Sequence, residues 1–282
     1  MLNDFCAFIL THGRPDNVIT YNTLLKHGYT GPIYIVIDNE DKTAPKYYEK
    51  YGAKVIMFDK VAVAQSIDEG DNFDDRRAII YARNACFGIA KKLGYTYFIE
   101  LDDDYTDFRY RLNSNFEYTC VRWDMNIDKI FGILLSYYQS IPFLSIAMSQ
   151  GGDFIGGDNG FFTSIRRRKC MNTFICSIER GFIFNGRINE DVNTYVNLGS
   201  RGGLFLTIPC VSIEQVDTQA NKGGMTEIYL NSGTYVKSFY TVMYSPSSVC
   251  IRMMGTHHPR LHHSIAWSNT VPMIIPEEVK KR

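Results

Sequence analysis

The chain has 282 residues, with 30 basic and 30 acidic side chains and a formal net charge of zero. At 45% hydrophobic, 14% aromatic and 21% charged residues its composition is globular, which excludes a disordered or collagen-like chain. The neutral balance excludes a surface that is basic all over, so any grip on nucleic acid must come from a local patch.

The first 105 residues alternate between strand and helix signals. Phe5–Leu10 reads as a buried strand, broken by Thr11-His12-Gly13-Arg14. Pro15 suits the first turn of a helix carrying Val18, Ile19, Leu24 and Leu25, which Gly28 and Gly31-Pro32 end. Ile33–Ile37 is the second strand, closed by Asp38-Asn39-Glu40-Asp41. A helix over 45–51 stops at Gly52, and a third strand follows over 54–58. The clearest helix is expected over 75–93, with Ala78, Ala82, Ala85, Cys86 and Ile89 on one face and Gly94 at its end. Tyr97–Leu101 is the fourth strand and runs straight into Asp102-Asp103-Asp104.

The second half is less regular. It predicts a helix over 127–138, a strand over 143–148, the glycine-rich stretch 151–160 and a short helix after Asn189-Glu190-Asp191. Strands over 203–208 and 211–216, a helix over 234–244 and a strand over 249–254 precede a histidine-rich tail. Apolar strands separated by amphipathic helices predict an α/β fold, a mostly parallel sheet with helices on both faces and an elaborated C-terminal half. We read one domain over 1–282, with the ligand-binding half at 1–105 and the elaboration at 106–282. No basic stretch precedes the first apolar run, so no signal peptide is expected, and no apolar run is long enough to span a bilayer. Seven scattered cysteines without a Cys-x-x-Cys pair predict reduced, mostly buried thiols and a cytoplasmic setting.

In a parallel sheet, ligands bind at the carboxyl ends of the strands, and three polar clusters fall there: Thr11–Arg14, Asp38–Asp41 and Asp102–Asp104. Three adjacent carboxylates repel one another unless a cation or donors offset the charge. In an extended segment Asp102 and Asp104 point the same way and can share a hard divalent ion, which can in turn bridge the oxygens of a diphosphate. The competing reading is a solvated acidic turn. Arg14 can clamp phosphate or sit in solvent, and Asp38 can accept from a nucleoside or simply start a turn. The mid-helix pair Arg83 and Asn84 can face phosphates or water. Asp191 or Glu190 is either a helix cap or a general base. His257, His258, His262 and His263 are four of only six histidines and can supply a metal ligand or a phosphate donor. Arg166-Arg167-Arg168-Lys169 is the strongest basic run, either a solvated face or a hold on a phosphate backbone.

Taken in chain order, Ile9-Leu10-Thr11-His12-Gly13-Arg14-Pro15, Asp38, the Asp-x-Asp of Asp102 and Asp104, the glycine-rich loop, Asn189-Glu190-Asp191 and a C-terminal histidine resemble the GT-A (Rossmann-like) nucleotide-sugar glycosyltransferases. Thr-His-Gly-Arg-Pro and the tail over 260–272 are similar, more narrowly, to the phage TET-associated glycosyltransferases, which modify DNA. The resemblance implies a UDP-sugar lying across the strand ends, touched by Thr11, His12, Gly13, Arg14, Asp38, Arg83, Asp102 and Asp103. It implies Mn2+ or Mg2+ held by Asp102 and Asp104 with His262 or His263. Asp191 or Glu190 would be the base, acting on a hydroxymethylpyrimidine such as hydroxymethylcytosine. Arg166, Arg167, Arg168 and Lys169 would hold the DNA, and the setting would be the host cytoplasm. The alternatives are a GT-A enzyme acting on polysaccharide or protein, a nucleotidyltransferase, or a non-catalytic DNA-modification scaffold.

Overall fold

The computed structural model describes residues 2–71, 76–115, 117–122, 126–150, 169–216, 225–255 and 259–270, with 225–234 described by the backbone alone. Its elements in chain order are β1 (Phe5–Leu10), α1 (Ile19–Lys26), β2 (Ile33–Asp38), α2 (Ala44–Tyr51), β3 (Val55–Phe58), α3 (Lys60–Ala64), α4 (Ile80–Leu93) and β4 (Tyr97–Asp102). There follow β5 (Tyr105–Leu112), β6 (Tyr118–Arg122), α5 (Ile127–Ser140), β7 (Phe143–Gln150), β8 (Phe174–Ser177), α6 (Glu190–Ser200), β9 (Leu204–Gln215), α7 (Met225–Tyr244), β10 (Val249–Met254) and β11 (Arg260–Ile265).

Nine strands form one sheet in the order β3-β2-β1-β4-β8-β7-β9-β5-β6, and β10 and β11 form a separate ribbon. All strands of the sheet run one way except β8 and β5. Strand alternation divides the core in two. Phe5, Ala7 and Ile9 of β1 face α1, α2 and α5 through Leu24, Tyr47 and Phe131. Cys6, Phe8 and Leu10 face α4 and α6 through Ile80, Cys86 and Val196. The expected α/β architecture with helices on both faces is therefore present. Four of the seven cysteines are buried and all seven are free thiols. Among the described residues no helix is long and apolar enough to cross a membrane.

Several boundaries differ from the expected ones. Helix α1 starts at Ile19 and leaves Pro15 in the preceding loop, where Lys50 Nζ donates to the Pro15 carbonyl at 3.1 Å. Helix α4 starts at Ile80 rather than 75, and Arg76 lies outside it, paired with Glu40 at 2.7 Å. The strands expected over 203–208 and 211–216 are one strand, β9. Its pairing partner on β7 jumps from Ile208 opposite Met148 to Ser212 opposite Ser149, so the ladder absorbs the Pro209 break as a bulge. Helix α7 begins nine residues earlier than position 234, and His262 and His263 of the tail lie on strand β11. Strands β5, β6 and β8 carried no sequence expectation.

Helix α6 is packed hard against the segment that ends at Thr270: a Cβ at Gly199 would clash with the Thr270 carbonyl oxygen. Gly→Ala within a helix normally stabilises by about 1 kcal/mol, but a clash with backbone costs roughly 1–3 kcal/mol, so the clash wins. Gly199→Ala should therefore lower the thermal midpoint. Gly88→Ala in α4, where nothing lies within 4 Å, should raise it. Equal shifts of the same sign in a thermal melt would contradict this packing.

Candidate functional site

The chain leaves β1 outward to β2 and β3 and then returns to β4 on the other side of β1. The switch point of the sheet thus lies between β1 and β4, whose register pairs Leu10 with Asp102. This brings the loop after β1 against the acidic triplet, as the spacing of the sequence clusters implied.

The loop is locked rather than open. Thr11 Oγ1 donates to Asp103 Oδ2 at 2.6 Å and lies 3.0 Å from Tyr47 OH, which also accepts from the Arg14 N–H at 2.8 Å. Arg14 Nε sits 3.4 Å from Asp103 Oδ2, outside hydrogen-bond geometry, so this buried donor has no hydrogen-bond partner of its own. Gly13 takes φ +71°, a conformation only glycine adopts cheaply, and its N–H donates to Asp41 Oδ2 at 2.7 Å. From the other side, the Thr20 hydroxyl donates to the Asp102 carbonyl at 2.6 Å and its N–H to the Asp103 carbonyl at 3.1 Å.

Asp38, expected to receive a nucleoside directly, is only 4% exposed. Its Oδ2 lies 2.6 Å from His12 Nδ1, and its Oδ1 accepts from the Glu40 N–H and lies 3.3 Å from Lys60 Nζ. Burial alone would raise its pKa, yet the His12 hydrogen bond and the Lys60 charge hold it below the ordinary carboxylate range. Asp38 therefore orients His12, whose ring is 40% exposed and offers its other edge outward.

Arg83 is the main correction. Expected at the diphosphate, it is 2% exposed and engages three carboxylates from two elements, Asp102 Oδ1 at 3.1 Å and Glu100 Oε2 at 3.5 Å on β4 and Glu190 Oε1 at 3.1 Å on α6. Phe174 lies under the guanidinium, 4.8 Å from it. Burial would lower the Arg83 pKa, but Asp102, Glu190 and Glu100 hold it above its usual value. One guanidinium thus joins the Asp-x-Asp turn to the start of α6. Glu190 is only 6% exposed, and burial followed by the Asp191 charge pushes its pKa up. It is committed to Arg83, which leaves partly exposed Asp191 as the open carboxylate of the pair.

The acidic triplet divides by partner. Asp103 is 2% exposed and belongs to Thr11 and Arg14, while Asp102 belongs to Arg83. Asp104, partly exposed, has no side-chain partner among the described residues. Burial and repulsion from its acidic neighbours raise Asp102 to about 7, and burial with Asp103 raises Asp104 to about 6. Two hard oxygen donors with excess negative charge between them fit a divalent cation.

The third expected ligand is elsewhere. His263 is 5% exposed, and its Nε2 lies 2.7 Å from Lys169 Nζ. Burial and then the Lys169 charge push its pKa down to about 2. His262 Nδ1 lies 2.7 Å from the His263 carbonyl oxygen. Among the described residues no group of three His, Cys, Asp or Glu side chains could hold a metal. Gly151–Gly160, Arg166, Arg167, Arg168, His257 and His258 lie outside the described residues.

Lys60, Tyr47 and Glu100 are site residues the sequence reading missed. Only Glu100 left a signal, since a carboxylate inside an apolar strand must find a cation.

A family model described as TET-Associated Glycosyltransferase matches residues 5–224. Among solved structures, the chain is similar to glucosyl-3-phosphoglycerate synthase from Mycobacterium tuberculosis in complex with Mg2+ and uridine-diphosphate. The identity is 9%, with 93% of this chain and 87% of that one covered and a TM-score of 0.48. The same enzyme with Mn2+, UDP-glucose and phosphoglyceric acid gives 10% identity, coverages of 98% and 90% and a TM-score of 0.49. S. aureus TarS gives 11%, coverages of 77% and 37%, and 0.42. No curated protein matches.

Proposed function

The chain belongs to the TET-associated glycosyltransferase family, and from that membership we propose that it moves a sugar from a UDP-sugar to the hydroxymethyl group of a modified pyrimidine in DNA. The observation that carries the reading is the Arg83 bridge, which ties the Asp-x-Asp turn to Glu190-Asp191 across the sheet's switch point.

On this reading the donor lies over the ends of β1 and β4. His12, held by Asp38, faces the nucleoside, and the buried Arg14 Nε, lacking a hydrogen-bond acceptor, faces the diphosphate. Asp102 and Asp104 would hold Mn2+ or Mg2+, which supplies neutralisation of charge on the departing UDP. The residues of the chain do the rest. Arg83 keeps Asp102 and α6 in register, and Asp103 closes the loop through Thr11. In an inverting reaction Asp191 takes the proton from the hydroxymethyl oxygen as that oxygen attacks the anomeric carbon and the bond to UDP breaks. Its Oδ1 already accepts from the Val192 N–H at 2.7 Å, which orients the free oxygen.

The test is mass spectrometry of DNA containing hydroxymethylcytosine after incubation with a panel of UDP-sugars and Mn2+. One glycosyl increment per modified base is expected, and chelation of the metal should abolish it. Donor turnover with no gain on DNA would move the assignment to a polysaccharide or protein acceptor.

A further inference from the structure

The zero net charge of the chain is distributed unevenly. Residues 228–276 contain no Asp or Glu, although the chain as a whole has 30 acidic side chains in 282 residues. That acid-free stretch includes the described part of α7 that carries side chains and the whole β10–β11 ribbon.

The ribbon's register sorts its side chains. Ile251 pairs with His263 and Val249 with Ile265 on one face; Val249 and His263 are buried there, and Ser238 of α7 donates to the Leu261 carbonyl at 3.1 Å. Arg252 pairs with His262, Met254 with Arg260 and Cys250 with Ser264 on the other. Directly opposed residues of an antiparallel pair share a face, so Arg252, Arg260 and His262 stand together on the outward side. Both arginines are exposed, and neither has a carboxylate partner among the described residues.

The ribbon is also linked, through α7 and Trp267, to helix α6, which opens with Glu190-Asp191. Asn189, immediately before Glu190-Asp191, donates Nδ2–H to the Lys237 carbonyl of α7 at 2.7 Å and approaches Thr241 Oγ1 at 3.2 Å. Tyr195 of α6 stacks on Trp267, just past β11, at 6.1 Å. The Lys169, Arg260 and Lys237 charges all act to lower the pKa of His262, whose largest perturbation is burial, so the positive field extends across the ribbon.

We propose that the outward face of the β10–β11 ribbon, through Arg252 and Arg260, is the surface that holds the phosphate backbone of the acceptor DNA. A two-stranded ribbon bearing arginines is a known way to engage duplex DNA, and a cationic face without acids offers its phosphates no repulsion. This rests on the reading of DNA as acceptor. It adds a second location to the DNA grip expected over 166–169, where Lys169 Nζ lies 2.7 Å from His263 Nε2.

The experiment compares wild type with Arg252→Ala/Arg260→Ala and Arg252→Lys/Arg260→Lys. Binding to a short unmodified duplex is measured between about 50 and 200 mM salt, and sugar transfer to hydroxymethylcytosine DNA is followed in parallel. Loss of two phosphate contacts should reduce the slope of log K against log salt by about 2 and weaken binding roughly tenfold or more at low salt. The lysine pair should retain most of both, because a phosphate can be held by a point charge. Both sites are exposed, so thermal midpoints and UDP release from donor to water should stay unchanged. Wild-type transfer to DNA with an identical slope and affinity in the alanine pair would overturn the ribbon assignment and leave the acceptor reading standing. A wild type that neither binds duplex nor glycosylates it would overturn both.

Discussion

Asp104→Asn should transfer sugar about 1,000-fold more slowly than wild type while melting at the same temperature or higher. The two halves of this expectation have one cause. Asp104 has no side-chain partner among the described residues and sits beside Asp103 and Asp102, so removing its charge relieves repulsion in the free protein. The same charge is what a divalent ion needs, and the loss of metal-based stabilisation of a departing diphosphate is worth several kcal/mol of barrier, at about 1.4 kcal/mol per tenfold in rate. A structural carboxylate would show the opposite pattern, with lower stability and modest loss of rate. Thermal melts and transfer rates at saturating Mn2+ check both halves; unaltered transfer would remove Asp104 from the proposed metal site.

The second large effect belongs to Arg83. Arg83→Met should lower stability by roughly 3–5 kcal/mol, because it leaves three carboxylates around an empty buried position. For a chain of this size that corresponds to a drop of about 10 °C or more in thermal midpoint. Arg83→Lys should rescue little: one ammonium cannot fork between Asp102, Glu100 and Glu190 as a planar guanidinium does. Combining Arg83→Met with Glu100→Gln should recover part of the stability, since Glu100 is fully buried and pushed up to about 8 by burial. Transfer should stay impaired in the double variant, because Asp102 and α6 have lost their common tie. An Arg83→Met protein that melts like wild type would show that the bridge holds nothing together.

How much of this could be read beforehand depended on how each element is buried. Strands β1, β2 and β4 lie inside a sheet with both faces covered, so β1 and β2 up to Ile37 are written as continuous apolar runs and β4 as one broken only by Glu100 before Asp102. Strand β5 is Tyr-Thr-Asp-Phe-Arg-Tyr-Arg-Leu, which reads as a polar loop. It is a strand because its charges are neutralised across the fold: Asp107 meets His27 at 2.8 Å and Arg122 at 2.7 Å, and Arg111 meets Glu214 at 2.7 Å. Those partners are up to about a hundred residues away, and no local pattern announces them. Strand β8, with four residues, is too short to carry a period.

By itself the sequence determined the class of fold, the strand end at which the acidic triplet stands and the kinds of donor available there, because these follow from local apolar runs and side-chain chemistry. Only the tertiary structure decided which donors are still open. Thr11 closes on Asp103, Arg83 on Asp102 and Glu190, and His12 with Lys60 on Asp38, which leaves Asp104, Asp191, the Arg14 Nε and the outer edge of His12. A buried charge must be matched by whatever charge the fold brings beside it, and that neighbour is set by topology rather than by position along the chain.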